Sequence, residues 1–152
     1  MPDHVPLAGR TPARVRERPT WLISRAYARA TGLLQEGFAQ GGDGLRGYHY
    51  RLLAALDEQG PASQAALGRG TGIDRSDVTA ALVDLEERGL VRRDVNQEDR
   101  RRNIVSITAA GIQRLEALDT VVDEVQERLL APLSEGERRQ FITLMHRIAG
   151  GG

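Results

Sequence analysis

The residues best equipped for chemistry in this chain are arginines, and they cluster. Between Arg88 and Arg102 six arginines stand against Asp94, Glu98 and Asp99, a local excess of three positive charges. Within that segment the stretch Asn96–Asn103 reads NQEDRRRN. A guanidinium is planar, permanently charged and able to donate two parallel hydrogen bonds, so it matches phosphate oxygens and guanine edges. That chemistry is recognition rather than bond making. An arginine at the tip of a hairpin can enter a minor groove, where the potential is most negative. Asp99, two residues before Arg101, can hold its guanidinium by a charge-assisted hydrogen bond. The competing reading is a solvated charge run, although a solvated tip is more often short and built on Asn-Gly or Asp-Gly.

The bulk numbers neither support nor oppose a polyanionic partner. The 152 residues carry 21 basic and 21 acidic side chains, for a formal net charge of zero, and every basic residue is arginine. Where the charge sits therefore matters more than its sum. The N-terminal segment is a second basic region, with Arg10, Arg14, Arg16 and Arg18 against Asp3 and Glu17.

Other chemistry has little to stand on. With no cysteine, the chain offers no thiolate nucleophile, disulfide, thiol redox sensor or Cys-ligated zinc. His4, His49 and His146 lie far apart in sequence, which is not metal-ligand spacing. There is no G-x-S-x-G elbow, P-loop or H-E-x-x-H motif. The pairs Asp57-Glu58 and Glu86-Glu87 are adjacent on helices, so their side chains point about 100° apart and form no dyad. No catalytic residue, cofactor or metal is expected. Trp21, Tyr48 and His49 are candidates for lining a small-molecule pocket; the competing reading of His49 is a partly exposed helix histidine. No apolar run approaches the ~18 residues of a membrane span and no signal-peptide core is visible. The chain is thus expected to be cytoplasmic.

The positioning elements follow from periodicity and capping. Residues 1–19, with four prolines, are expected to be a disordered basic tail. A helix starts at Pro19-Thr20, with Thr20 as N-cap, and its apolar stripe runs from Leu22 through Phe38 to a stop at Gly41-Gly42-Asp43-Gly44. A second covers about Leu45 to Gln59 and ends at Gly60-Pro61. Ser63 caps a short third helix, Gln64 to about Gly70, before a tight turn at Thr71-Gly72. Asp74 is the N-cap of the fourth, which ends at Arg88-Gly89; Asp77 stands at N3 and Ile73 can staple onto Val78. Leu90–Val95 and Asn103–Thr108 read as short strands. Thr108 caps a long helix, Ala109 to about Leu130, whose seam is Ile112, Leu115, Val122, Val125 and Leu129. Pro132 ends it, and Ser134-x-x-Glu137 is a capping box for a last helix carrying Phe141, Leu144, Met145 and Ile148.

Helix, short helix, tight turn, helix, hairpin: over residues 45–108 this order is a winged helix-turn-helix, in which the second helix of the motif enters the major groove. The fold class is mainly α with a small β-wing. On the fourth helix Val78, Ala81, Leu82 and Leu85 share one face and are expected to be buried. Ser76, Ala80 and Val83 lie opposite, with Thr79 and Asp77 on the flanks. Small groove-facing side chains let a helix backbone approach base edges. Arg75, Ser76, Thr79 and Ala80 are the candidate base readers, and Arg75 could equally take a phosphate. A solvated face of an ordinary helix is the competing reading.

Residues Leu82–Gly111, LVDLEERGLVRRDVNQEDRRRNIVSITAAG, resemble the signature of MarR-type transcriptional regulators. The matching pieces are Gly89-Leu90-Val91-Arg92-Arg93, Asp99-Arg100-Arg101 and Ile107-Thr108-Ala109-Ala110-Gly111, and the helix order extends the resemblance to about residues 20–150. It implies a homodimer, with 20–44 and 109–150 as the dimerisation region and 45–108 as the DNA-binding lobe. That fits helices with more apolar surface than a lone winged domain could cover. It implies double-stranded DNA as partner, read as a pseudo-palindromic operator, and Asp99 as the holder of a minor-groove Arg101. Phosphate contacts are expected from Arg92, Arg93, Arg100, Arg102 and the Ser63-Gln64 helix start. The reading is a repressor or activator, with repressor favoured, and the resemblance further implies a small aromatic or phenolic effector, bound between the dimer helices and the lobe, that releases DNA. Two departures stand out. Asn96-Gln97 replaces the Asp-Pro common before the wing tip, and the absence of cysteine excludes thiol-based peroxide sensing. A winged-helix module that binds protein instead of DNA is the alternative.

Overall fold

Apolar residues at helical spacing account for most of the chain's regular structure. A computed structural model describes residues 11–96, 98–99 and 103–150. Helix α1 (Ala13–Arg16) is a single turn that buries nothing. The Pro12 carbonyl accepts from Val15 and Arg16 N–H at 2.9 and 3.0 Å. The expectation of a structureless tail to residue 19 is therefore corrected for 13–16, where Pro12 sets the chain direction; residues 1–10 lie outside the described residues. Helix α2 (Pro19–Gly41) has Arg18, not Thr20, at its N-cap position. Proline lacks the N–H that a first-turn residue would leave unsatisfied, and its fixed φ suits N1, so Thr20 falls inside the first turn.

Helix α3 (Gly47–Gln59) begins two residues later than predicted. Leu45 lies just outside it, yet is 1% exposed in the core. Strand β1 (Ala62–Ser63) was not anticipated; two residues are too few to show a period. Helix α4 (Gln64–Thr71) is capped as expected, with Ser63 Oγ accepting from Ala66 N–H at 3.2 Å. Gly72, in the left-handed region at φ 67°, makes the tight turn that a Cβ would disfavour. Helix α5 (Arg75–Glu87) then starts with Asp74 at the N-cap by backbone position, but the Asp74 side chain makes no capping hydrogen bond. Its negative charge beside the first turn still suits the helix dipole. At the other end Leu90 N–H reaches Leu85 O and Gly89 N–H reaches Glu86 O, both at 2.9 Å, the Schellman arrangement.

Strands β2 (Val91–Asp94) and β3 (Ile104–Ile107) pair antiparallel, Val91 opposite Ile107 and Asp94 opposite Ile104. β1 adds on the far side of β3, Ala62 opposite Val105, giving the order β1-β3-β2. Helix α6 (Ala109–Leu130) has the predicted bounds, and Thr108 Oγ1 accepts from Gly111 N–H at 3.0 Å. Helix α7 (Glu135–Ile148) opens with the predicted box: Glu137 N–H reaches Ser134 Oγ at 3.3 Å and Ser134 N–H reaches Glu137 Oε2 at 2.8 Å.

The core lies between α3, α5, the sheet and α6. Leu45, Leu52, Leu53, Leu56, Leu82, Leu85, Val78, Val105 and Leu118 are each under 2% exposed. Helix α2 runs along α6 and adds Phe38 to this core. The α6 seam needs one correction: Ile112 is exposed and Leu118 is buried. The buried stripe begins at Gly111, and Ile112 points about 100° away from it. No helix among the described residues is long and apolar enough to cross a membrane.

Candidate nucleic-acid interface

The face of α5 predicted to be buried is buried: Val78, Ala81, Leu82 and Leu85 all pack into the core. That anchorage leaves Arg75, Ser76, Thr79 and Ala80 exposed on the other side. The two helices of the motif are also tied directly. Gln64 Nε2 donates to Thr79 Oγ1, and Thr79 Oγ1 donates to Arg75 O at 3.0 Å. Gln64 and Thr79, read separately from sequence as a phosphate contact and a base reader, are thus one hydrogen-bonded unit. Ser63 uses its hydroxyl as the α4 cap.

The wing is locked at its base. Thr108 Oγ1 donates to Gly89 O at 2.7 Å, and Thr108 N–H donates to Leu90 O at 3.1 Å. A Cβ on Gly111 would sit 2.1 Å from Leu90 O, so no other residue fits there without backbone movement. The Thr-x-x-Gly motif therefore joins the end of α5, the return of the wing and the start of α6. Along β2, side chains alternate as a strand requires. Val91 is buried; Arg92 points out, with a side chain 72% exposed and 3.3 Å from Asp94. Arg93 turns inward: its side chain is 21% exposed and its Nε lies 3.4 Å from Glu86. Its Nη2 is buried with no hydrogen-bond partner among the described residues. Arg92 and Arg93, equivalent in the sequence, thus occupy opposite faces of the strand. At the tip, Asn96 Oδ1 accepts from Glu98 N–H at 3.1 Å, the Asx-type bond by which Asn or Asp starts a turn. Asp99 is partly buried. Gln97, Arg100, Arg101 and Arg102 lie outside the described residues.

Two of the four acids on α5 are paired among the described residues. Asp84 Oδ1 accepts from Arg88 Nε at 2.9 Å, and Asp84 Oδ2 lies 3.0 Å from His49 Nε2. The Arg88 hydrogen bond holds the Asp84 carboxyl below its ordinary value. Glu86 faces Arg93. His49, weighed as a partly exposed residue, is 4% exposed; it sits at the third position of α3, where the ring is enclosed by α5. Its Nδ1 accepts from Arg46 N–H at 2.9 Å. Burial keeps its pKa below 6.5, outweighing the pull of Asp84 in the other direction. The i,i+4 spacing of Asp84 and Arg88 was a readable signal for part of this cluster; the approach of His49 was not.

Two cavities flank α3. The larger, about 1000 Å³, opens between α2, α3 and α6 and is lined by Tyr27, Phe38, Tyr48 and Tyr50 with Arg46 and Arg51. Tyr50 donates to Asp119 Oδ1 at 2.7 Å; burial and that carboxylate push its pKa up to about 12. The smaller, about 250 Å³, lies between the start of α3 and α5 and shares Gly44, Arg46 and Tyr48 with the first. His49 lines this second space; Trp21 lines neither, and packs instead with the Arg25 guanidinium 5.9 Å from its ring. Among the described residues no group of His, Cys, Asp and Glu could hold a metal ion.

Known proteins resemble this arrangement over nearly its whole length. The profile of the MarR family matches residues 43–102. The HTH-type transcriptional repressor NicR of Pseudomonas putida is 31% identical over 147 residues, spanning 97% of this chain and 91% of that protein. A probable transcriptional regulator from Pseudomonas aeruginosa superposes with a TM-score of 0.73 at 33% identity, over 87% of this chain and 97% of that one. BpsR of Bordetella bronchiseptica, whose DNA binding is regulated by 6-hydroxynicotinic acid, shares the fold with a TM-score of 0.76 at 24% identity, over 84% of this chain and 96% of that one. Its relatives are transcriptional regulators rather than enzymes, its fold is their winged helix, and on this agreement of sequence and structure the chain belongs to the MarR family.

Proposed function

We propose that this regulator is a homodimeric repressor that binds double-stranded DNA at a pseudo-palindromic operator. The observation that carries the reading is α5: one face is fixed in the core while Arg75, Ser76 and Ala80 stand free beside a wing. Residues 45–108 form the DNA-binding lobe. Arg75, Ser76, Thr79 and Ala80 read bases in the major groove. Arg92, with Arg100, Arg102 and the Ser63-Gln64 helix start, meets phosphates. Arg93, paired with Glu86, reaches a phosphate only by leaving that pair. Arg101, held by Asp99, enters the minor groove.

Residues 20–44 and 109–150 form the dimerisation region. Helix α7 buries no side chain within the chain, yet presents Phe141, Leu144 and Ile148 at helical spacing, all exposed. Leu22, Ile23 and Tyr27 of α2 are exposed as well. A partner copy is the cover these helices lack. The large cavity, lined by aromatic residues together with Arg46 and Arg51, suits a small aromatic acid or phenol. The regulation of BpsR by 6-hydroxynicotinic acid is in keeping with that class of effector.

Selection of genomic fragments with the purified protein tests the reading. Selected fragments are expected to share an inverted repeat, with affinity falling steeply as salt rises. Arg75→Ala and Arg101→Ala are each expected to cost ~1–3 kcal/mol of affinity at fixed salt and to leave the dimer intact. Recovery of no fragment above background would sink the DNA reading and leave the protein-binding module.

A further inference from the structure

A polar chain runs from α6 to α5. Arg114 Nη1 of α6 lies 3.0 Å from Asp43 Oδ2 in the α2–α3 turn. The Asp43 carbonyl accepts from Arg88 Nη1 at 2.8 Å. Arg88 holds Asp84 at 2.9 Å, and Asp84 holds His49 at 3.0 Å. The turn itself is tight. Asp43 has φ 51°, and a Cβ on Gly44 would stand 2.7 Å from Arg88 Nη2.

At the end of this chain the proton count of His49 is set by its neighbours. The Arg46 backbone N–H can only donate, so the Nδ1 it faces carries no proton. The single ring proton is therefore on Nε2, donated to Asp84. A second proton would place an N–H at Nδ1 against the N–H of Arg46, on a side chain only 5% exposed. The facing charges are Asp84 and Arg88 from α5 and Arg46 from the cap of its own helix. Asp43 and Arg114 stand behind Arg88. The two nearby cations oppose protonation, and Asp84, which favours it, is shared with Arg88.

We propose that His49 is a positioning residue for operator binding: in its neutral form it pins α5 to the start of α3, and protonation releases that pin and weakens DNA binding. The proposal rests on the DNA-binding reading above. Its sign follows from linkage. The unfolded histidine titrates near 6.5 and the folded one lower. As pH falls through 6.5 the open form takes up the proton first, so the pinned form loses ground until the folded value is passed.

The test uses the full chain and the tightest fragment from the genomic selection, at constant ionic strength from about pH 8 to about pH 5. Affinity is measured for the wild type, His49→Gln and Asp84→Asn. Hydrogen exchange of amides in α5 and at the start of α3 is followed in the protein alone, corrected for intrinsic rate. Glutamine can accept from Arg46 and donate to Asp84 but does not titrate. The wild type is expected to lose ~5-fold or more affinity relative to His49→Gln on acidification, with faster exchange at both elements in the wild type only. Asp84→Asn removes the group that favours the imidazolium, so its step should move to lower pH. That variant keeps the test open should His49→Gln fail to fold. Parallel affinity profiles for wild type and His49→Gln overturn the proposal, as does an exchange difference unaccompanied by one in affinity. If no fragment is selected, the DNA reading fails by itself, and the exchange arm alone decides whether the pin is proton-sensitive.

Discussion

Thr108 and Gly111 carry more of the architecture than their size indicates. The Thr108 hydroxyl donates to Gly89 O and accepts from Gly111 N–H, so one side chain serves as C-terminal clasp for α5 and N-cap for α6. Gly111 lets the backbone of α6 close on Leu90 O, where a Cβ would come within 2.1 Å. Gly111→Ala is therefore expected to destabilise the fold by ~1–3 kcal/mol, read as a lower urea midpoint at unchanged m-value. A midpoint within error of the wild type would mean that the wing base yields more easily than this contact allows. Both residues were visible in the sequence as a motif and a cap. The reason they travel together was not, because Leu90 meets Gly111 only when β2 and β3 are paired.

At the scale of elements, α4 and α5 share the core through Leu67 and Val78 and are also tied at the surface. Gln64 and Thr79 are fifteen residues apart and joined side chain to side chain. A double-mutant cycle of Gln64→Ala and Thr79→Val should return a coupling of ~0.5–1.5 kcal/mol in stability. Additive effects would show that the tie contributes nothing beyond each residue alone. Element existence and bounds were largely legible, since caps and periodicity are local. Helix α6 and the Ser134 box of α7 fall where periodicity and capping place them. The starts at Pro19 and Gly47 did not: proline at N1 moved the first ahead of Thr20, and the second is set by the His49 ring accepting from Arg46 N–H.

For the molecule as a whole, the unresolved balance lies in apolar surface. Phe141 is 38% and Ile148 65% exposed on one face of α7. Joining two copies through α7 and α2 would remove these side chains from water, at roughly 25 cal/mol per Å² of apolar area covered. Phe141→Asp with Ile148→Asp is expected to shift sedimentation from dimer to monomer. In the wild type the unfolding temperature should rise with protein concentration, a dependence the double variant should lose. A wild type that sediments as a monomer at micromolar concentration would contradict the dimer.

The sequence by itself determined helices α2 to α7, the wing strands, the face of α5 that turns inward and the family to which the chain belongs. Each of these rests on spacing within a few turns of chain, where i,i+3 and i,i+4 neighbours and caps decide the outcome. Tertiary structure alone decided the rest. It added β1 through pairing with β3, buried His49 against Asp84 and turned Arg93 onto Glu86 while leaving Arg92 outside. It also set Asp43 between Arg114 and Arg88. These contacts join residues distant in sequence, and charge and side-chain type alone do not say which arginine will face solvent and which will meet an acid from another element.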